Sequence, residues 1–302
     1  MAASDAKPPA APRGLFNEDE IAGLRTMWAT PPRDVAPKAL LLLAHGMCHG
    51  CEDFSNEEGF GGLPEEHRMV EIAQSRGFVP VAISSTDRVR KAWTVEVDGP
   101  KVAQVLDEIL QREGLDAALP KCAVGVSNGG SFSMLLPMYV PLRAIVCQIM
   151  AIPNELVDRV PNIPPTLFVH MPRDARTAAG VKSNIAKLRS LGKVGEERLC
   201  HPRPITPDFF MKSCGFDEST SAKMAEALCT AGLVDGDGVL LQDPRASTST
   251  WRAALQAFGD ASGDSLVANR SPISEVLNVA WGLHEITSEG MEEALDFCER
   301  YL

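Results

Sequence analysis

Gly125-Val126-Ser127-Asn128-Gly129 spells G-x-S-x-G between the apolar run Cys122-Ala123-Val124 and an apolar stretch that reaches Val140. In a strand–turn–helix setting this pattern lifts one residue to the crest of a sharp turn, with its side chain exposed and its backbone strained. Gly125 and Gly129 are then required, because a Cβ two residues before or after the crest would strike the incoming strand or the outgoing helix. Gly130 adds a second small residue where the helix starts, so that its N-terminal N–H groups can face whatever Ser127 attacks. The bare pentapeptide is common by chance, and an idle serine in a glycine-rich turn is the competing reading. The flanking strand and helix are what give the motif weight.

A serine hydroxyl is a weak nucleophile at neutral pH. It needs a histidine base, and the histidine needs a carboxylate to hold its tautomer. On a strand–turn–helix crest these follow in chain order serine, acid, histidine. Asp174, just past the apolar run from Thr166 to Met171, is the expected acid, with Glu155 and Asp158 as fallback. The bland alternative for Asp174 is a surface ion pair with Arg173 or Arg176. Two histidines compete for the base: His201, directly after a short strand, and His284, on the loop that feeds the last helix. Chain order favours His284. His170 lies within a strand and reads as a core histidine; His67 reads as a solvated helix residue. A developing oxyanion needs N–H donors. The backbone of Asn128 offers one and that of Met47 the other, with Gly46 allowing close approach.

Cys48-His49-Gly50-Cys51 is a C-x-x-C beside two histidines, but no second half-site follows, and structural zinc takes four ligands. Asp235-Gly236-Asp237-Gly238 has too few spaced carboxylates for a calcium loop. Neither a metal nor a cofactor is expected.

The elements that must position these residues are strands at 24–29, 39–44, 78–83, 122–126, 144–151, 166–171 and 197–200. Helices are expected at 65–76, 99–112, after the crest, and at 177–191. Apolar strands alternating with amphipathic helices build a mostly parallel, doubly wound α/β sheet with helices on both faces. Active residues in such sheets lie beyond the carboxyl ends of the strands, where Ser127 falls. From Pro202 the alternation stops. Helices are expected over 217–233, from Ser249 or Thr250 to Phe258, from Ser271-Pro272, and from Ser288. The reading divides the chain into a disordered tail (1–16), a core (17–201), a mainly helical lid inserted after the last strand (202–270) and C-terminal core helices carrying His284 (271–302). Phe209, Phe210, Met211 and Trp93 are read as walls of an apolar acyl pocket, though each also suits a core.

With 302 residues, 45% hydrophobic, the chain has the length and composition of a globular protein with a large core. A net charge of −11 argues against nucleic acid as a partner. No apolar run suits a membrane span. The first residues lack an apolar signal core, and the eight scattered cysteines favour a reducing compartment. A cytoplasmic location is expected, with an organellar one left open. Oligomeric state is not read from the sequence.

Through His45-Gly46, Gly125-x-Ser127-x-Gly129, Asp174 and His284, the chain from about Pro37 onward resembles the α/β-hydrolase superfamily. Leu43-Ala44-His45-Gly46, Ala82-Ile83-Ser84-Ser85, Pro164–Pro172 and His284-Glu285-Ile286-Thr287-Ser288 are similar to stretches of a plant and green-algal family of α/β hydrolases with no assigned substrate. The resemblance implies the fold and a Ser127–His284–Asp174 triad. The lid departs from the usual layout, since it follows the last strand. The expected activity is that of a serine hydrolase cleaving a small or apolar carboxylic ester or thioester through an acyl-enzyme. A ligand-binding receptor or scaffold with slow or no turnover, and an acyltransferase or lyase reusing the triad, are the alternatives.

Overall fold

Six consecutive apolar residues, Ala39–Ala44, can all be buried only in a strand covered on both faces. In the computed structural model, which describes residues 16–55, 62–259, 266 and 271–302, all six are buried. Leu40, Leu42 and Ala44 join one core cluster and Ala39, Leu41 and Leu43 another. The strands are β1 (Phe16–Ile21), β2 (Leu24–Ala29), β3 (Ala39–Ala44), β4 (Phe78–Ile83), β5 (Lys121–Val126), β6 (Ala144–Gln148), β7 (Thr166–His170) and β8 (Gly195–Leu199). They form one sheet of order β1-β2-β4-β3-β5-β6-β7-β8, parallel from β4 to β8, with β1 and β2 antiparallel at one edge.

The helices are α1 (Pro64–Ser75), α2 (Val95–Arg112), α3 (Asn128–Leu135), α4 (Asn154–Val157), α5 (Ala175–Ser190), α6 (Phe209–Cys214), α7 (Glu218–Thr230), α8 (Thr248–Leu255), α9 (Pro272–Trp281) and α10 (Met291–Glu299). Val102, Val105, Leu106 and Ile109 of α2, Phe132 of α3 and Val181 of α5 pack on one face of the sheet. Met69 and Val70 of α1 and Leu295 and Phe297 of α10 pack on the other. The expected doubly wound sheet is present.

Several boundaries differ from the sequence expectation for identifiable reasons. β1 was not expected: its Asn-Glu-Asp-Glu interior is exposed edge sequence, and its two-residue turn, Ala22-Gly23, has φ of 51° and 73° without the usual Asn or Asp. Phe16 opens this strand, and the rest of the proposed tail, 1–15, lies outside the described residues. α2 starts at Val95 rather than Gly99, because the Asp98 carboxylate accepts from the N–H groups of Thr94 and Thr86 at 2.8 and 2.9 Å and so secures an earlier first turn. β6 stops at Gln148, since Ile149 adopts φ 45° and leaves the sheet. α8 is preceded by Ser247, not Ser249 or Thr250. α10 follows Gly290, and Ser288 is committed elsewhere.

α6, α7 and α8 fall within 202–270 and share a third core cluster containing Phe210, Met224, Leu228 and Trp251. Ile273, Val276, Leu277 and Ala280 of α9 belong to the same cluster, so this packing unit runs past the 270/271 division.

Candidate active site

Ser127 sits between β5 and α3 with φ 50° and ψ −115°, a strained backbone for a residue with a side chain. Three backbone bonds fix it: its N–H donates to Gln148 O at 2.9 Å, and its carbonyl accepts from Gly130 N (2.9 Å) and Ser131 N (3.1 Å). A Cβ on Gly125 would lie 2.1 Å from Gly129 O, and one on Gly129 would lie 2.2 Å from Ala44 O. Both positions therefore admit only glycine in this backbone. At Gly130 a Cβ would press on Cys147 Sγ and Met150 Cβ at 3.0 Å.

His284 reaches the crest from the loop after α9, which ends at Gly282 with φ 69°. Glu65, on the first turn of α1, clamps this loop. Its carboxylate accepts from Ser288 N at 2.6 Å, Ser288 Oγ at 2.8 Å and Thr287 Oγ1 at 3.3 Å, and pairs with Arg203 at 2.8 Å. Burial pushes the Glu65 carboxyl up, but Arg203 and Ser288 outweigh it and hold the pKa below the ordinary carboxylate value. Gln148 ties the loop to the crest: its amide donates to Thr287 O at 3.0 Å, and its own main-chain carbonyl holds Ser127. Neither Glu65 nor Gln148 carries a motif that a single sequence exposes.

The result is a continuous chain of hydrogen bonds. Ser127 Oγ lies 3.2 Å from His284 Nε2, and His284 Nδ1 lies 2.5 Å from Asp174 Oδ2. Asp174 caps α5 and also accepts from Thr177 N at 3.0 Å. Burial raises its pKa, whereas the Thr177 and His284 hydrogen bonds lower it by more, so the net shift is downward. Arg173 does not pair with Asp174; its guanidinium stacks 3.7 Å over Trp281 and donates to Trp281 O. His201 is exposed, and His284 is the histidine at hydrogen-bond distance from Ser127. Glu155 is exposed, and Asp158 pairs with Lys187 at 2.6 Å. His170 Nε2 meets Glu197 at 3.0 Å, while His67 is half-buried rather than solvated.

The loop after β3 is held by a buried histidine. His45 Nε2 accepts from Ser85 N at 3.1 Å, so Nδ1 carries the proton and donates to Gly46 O at 2.7 Å. Burial pushes its pKa down to about 4, leaving a neutral ring at neutral pH. Across a trans peptide, an anchored Gly46 carbonyl turns the Met47 N–H the opposite way. Neither Met47 N nor Asn128 N has an acceptor among the described residues. A Cβ on Gly46 would lie 3.9 Å from Ser127 Cβ, an ordinary contact. Gly46 is therefore not demanded by a clash, and a larger residue there would narrow the space at Ser127.

Beside Ser127 lies a cavity of about 250 Å³ lined by Met47, His49, Glu66, Arg245, Glu275 and His284 among others. The expected aromatic walls do not line it. Trp93 is buried in a stack between His45 and Phe132, with Nε1 donating to His45 O at 2.9 Å. Phe209 and Phe210 pack edge-to-face inside the third core cluster, and Met211 follows them on α6. Aromatic residues on a short helix found an apolar core of their own, so the acyl-pocket assignment for Trp93, Phe209, Phe210 and Met211 is corrected. Leu63, Val126, Ile149 and Ile286 supply the apolar part of this wall, and two acids stand beside them. Burial pushes the Glu66 carboxyl well above its ordinary range, aided by the neighbouring Glu275, and burial raises Glu275 to about 8. Met150, Ala151, Ile152, Pro153 and Leu283 line a second groove that also reaches His284, with Asp174, Arg176 and Thr177 in its wall.

Among the described residues no group of three or more His, Cys, Asp or Glu side chains is arranged to hold a metal ion. Cys48 is exposed, and Cys51 is buried with its N–H on Ser84 Oγ.

A strained serine at the end of a central parallel strand, in a sheet whose order reverses once between β4 and β3, decides the architecture. The fold is that of the α/β hydrolases. Similar solved structures include a dienelactone hydrolase from Anabaena variabilis, at 15% identity over 64% of this chain and 87% of that one, with a TM-score of 0.49. A thermostable carboxyl esterase from Bacillus coagulans is 10% identical over 62% and 90% of the two chains, with a TM-score of 0.48. An esterase from Pseudomonas putida is 11% identical over 62% and 72%, with a TM-score of 0.45. No protein-family model and no curated protein matches the sequence. No helix among the described residues is long and apolar enough to cross a membrane.

Proposed function

We propose that the protein is a serine hydrolase of carboxylic esters or thioesters. Ser127 Oγ attacks the carbonyl carbon while His284 Nε2 takes its proton, and Asp174 orients the ring through Nδ1 and stabilises the imidazolium that forms. The N–H groups of Asn128 and Met47 receive the oxyanion, the second held in place by the His45–Gly46 bond. His284 then returns the proton to the departing alcohol or thiol, and a water activated by the same ring releases the acid. The observation that carries this reading is the unbroken chain from Ser127 Oγ through His284 to Asp174, at 3.2 and 2.5 Å. An apolar part of the substrate has a surface available in the groove lined by Met150, Ile152 and Leu283. In this reading the helical segment 202–259, with α9, covers the cavity; Arg245 of the segment and Ser271, Glu275 and Asn278 of α9 and its N-cap stand in the wall.

The test is kcat/KM for a panel of short-chain oxygen esters and thioesters, on wild type and Ser127→Ala. Turnover of at least one class that disappears in the variant supports the proposal. Stoichiometric acylation of Ser127 without turnover would instead support a slow-releasing receptor, and turnover unaffected by the substitution would refute the role of Ser127.

A further inference from the structure

Glu66 and Glu275 both line the cavity beside Ser127, and both are more than nine-tenths buried. Three of their oxygens, Glu66 Oε2 and both of Glu275, have no hydrogen-bond donor elsewhere among the described residues. The other charged groups around them are already engaged. Arg245 pairs with Glu285 at 2.5 Å, His49 pairs with Asp53 at 2.9 Å, and Glu65 is taken by Arg203 and Ser288. His49 Nδ1 stands 4.0 Å from Glu66 Oε1, beyond hydrogen-bond reach. Leaving buried carboxylates unpartnered costs free energy and is uncommon outside sites that meet a ligand.

We infer that this acidic pair is a recognition site for a protonated amine, so that the substrate of the Ser127 centre carries a primary ammonium group. This rests on the hydrolase reading only for the word substrate; the binding site stands on its own geometry. Once ionised, the pair offers acceptors only, and an ammonium brings three donors on one atom. It also brings the charge that the pair lacks. Two adjacent buried carboxylates hold a proton between them, and a cation entering the cavity displaces that proton and leaves both ionised. Glu66 and Glu275 stand in the first turns of α1 and α9, where the helix N-termini favour the ionised form. A neutral hydroxyl would satisfy one acceptor and supply no charge.

The experiment is calorimetric titration of the full chain with n-pentylammonium chloride and, separately, with 1-pentanol, in two buffers of different ionisation enthalpy. The ammonium should bind more tightly than the alcohol by about ten- to a hundredfold, the size of a hydrogen bond to a charged group. Its binding should release protons and strengthen as pH rises from 6 to 9. In Glu275→Gln the preference should fall to within about twofold, with Glu66→Gln as the second variant if the first does not fold. Equal binding of alcohol and ammonium, binding of the alcohol alone, or no binding of either by wild type would overturn the inference. Turnover, on the same sample, of the short-chain ester and thioester panel and of the p-nitrophenyl ester of 6-aminohexanoic acid separates the two readings. Ammonium binding without turnover would break the hydrolase reading alone; turnover without ammonium preference would break this one alone.

Discussion

Asp174, bonded to His284, and the Glu66–Glu275 pair, in the cavity beside Ser127, are carboxylates around one candidate site, and their surroundings drive them in opposite directions. Asp174 accepts from Thr177 and His284, and its pKa is drawn below the ordinary value despite partial burial. Glu66 and Glu275 are more deeply buried and receive no comparable donors, and both are pushed up. Donor supply decides the direction in which each acid is pushed. In the proposed reading Asp174 is the carboxylate that orients a histidine, and Glu66 and Glu275 are the two that receive a ligand. Glu65 supplies the control: almost as buried as Glu66 and next to it in sequence, it is drawn down because Arg203 and Ser288 reach it.

This contrast can be broken from its satisfied side first, where the largest effects are expected. Ser127→Ala should cost on the order of 10⁵–10⁶ in kcat for the best ester found, as loss of a nucleophile does elsewhere. Asp174→Asn should come next. Its amide donates where the carboxylate accepted, which forces His284 into the wrong tautomer, and kcat should fall by roughly 10³–10⁴ with the fold retained. An Asn variant with near wild-type kcat would mean that Asp174 serves α5 as a cap and nothing more.

The unsatisfied side is sharpened by stability against pH. Glu275 ionises near 8 in the folded chain against an ordinary value of 4.5. Between those limits the unfolded chain has released its proton and the folded chain has not. Stability contributed at acid pH is therefore lost as pH rises through this window, by up to about 1.4 kcal/mol per unit for one such group. Urea unfolding of Glu275→Gln at pH 5 and pH 8 should show a shallower decline than wild type, and parallel slopes would contradict the assigned shift. The smallest effect belongs to His201→Ala. As an exposed residue outside the hydrogen-bonded chain it should change kcat/KM by less than about twofold, within ordinary surface-substitution limits. A loss comparable to that of His284→Ala would reverse the choice of base.

Much of the candidate site was legible because its signals are local. The glycines around Ser127 announce a turn that other residues cannot make, and the contacts a Cβ would meet at Gly125 and Gly129 give the reason. Asp174 and His284 follow from chain order once the parallel strands are recognised. The pocket acids were not legible. Glu66 follows Pro64-Glu65, and Glu275 follows Ser271-Pro272, so each reads as a solvated first-turn acid that complements a helix dipole. Only tertiary packing turns the starts of α1 and α9 toward one cavity. Phe209 and Phe210 misled for the converse reason: apolar residues beside a helical insertion suit a pocket wall and a private core equally, and here they form the core. The edge strand β1 escaped because four charged or amide residues in its interior hide any alternation.

The central claim is that Ser127 is an activated nucleophile with His284 as its base. Intact-mass measurement after reaction with a fluorophosphonate probe tests it most directly, on wild type, Ser127→Ala, His284→Ala and His201→Ala. One adduct on wild type and on His201→Ala, absent from Ser127→Ala and strongly slowed in His284→Ala, is the result the account predicts. A folded wild type that takes no adduct, or an adduct that persists in Ser127→Ala, would contradict it.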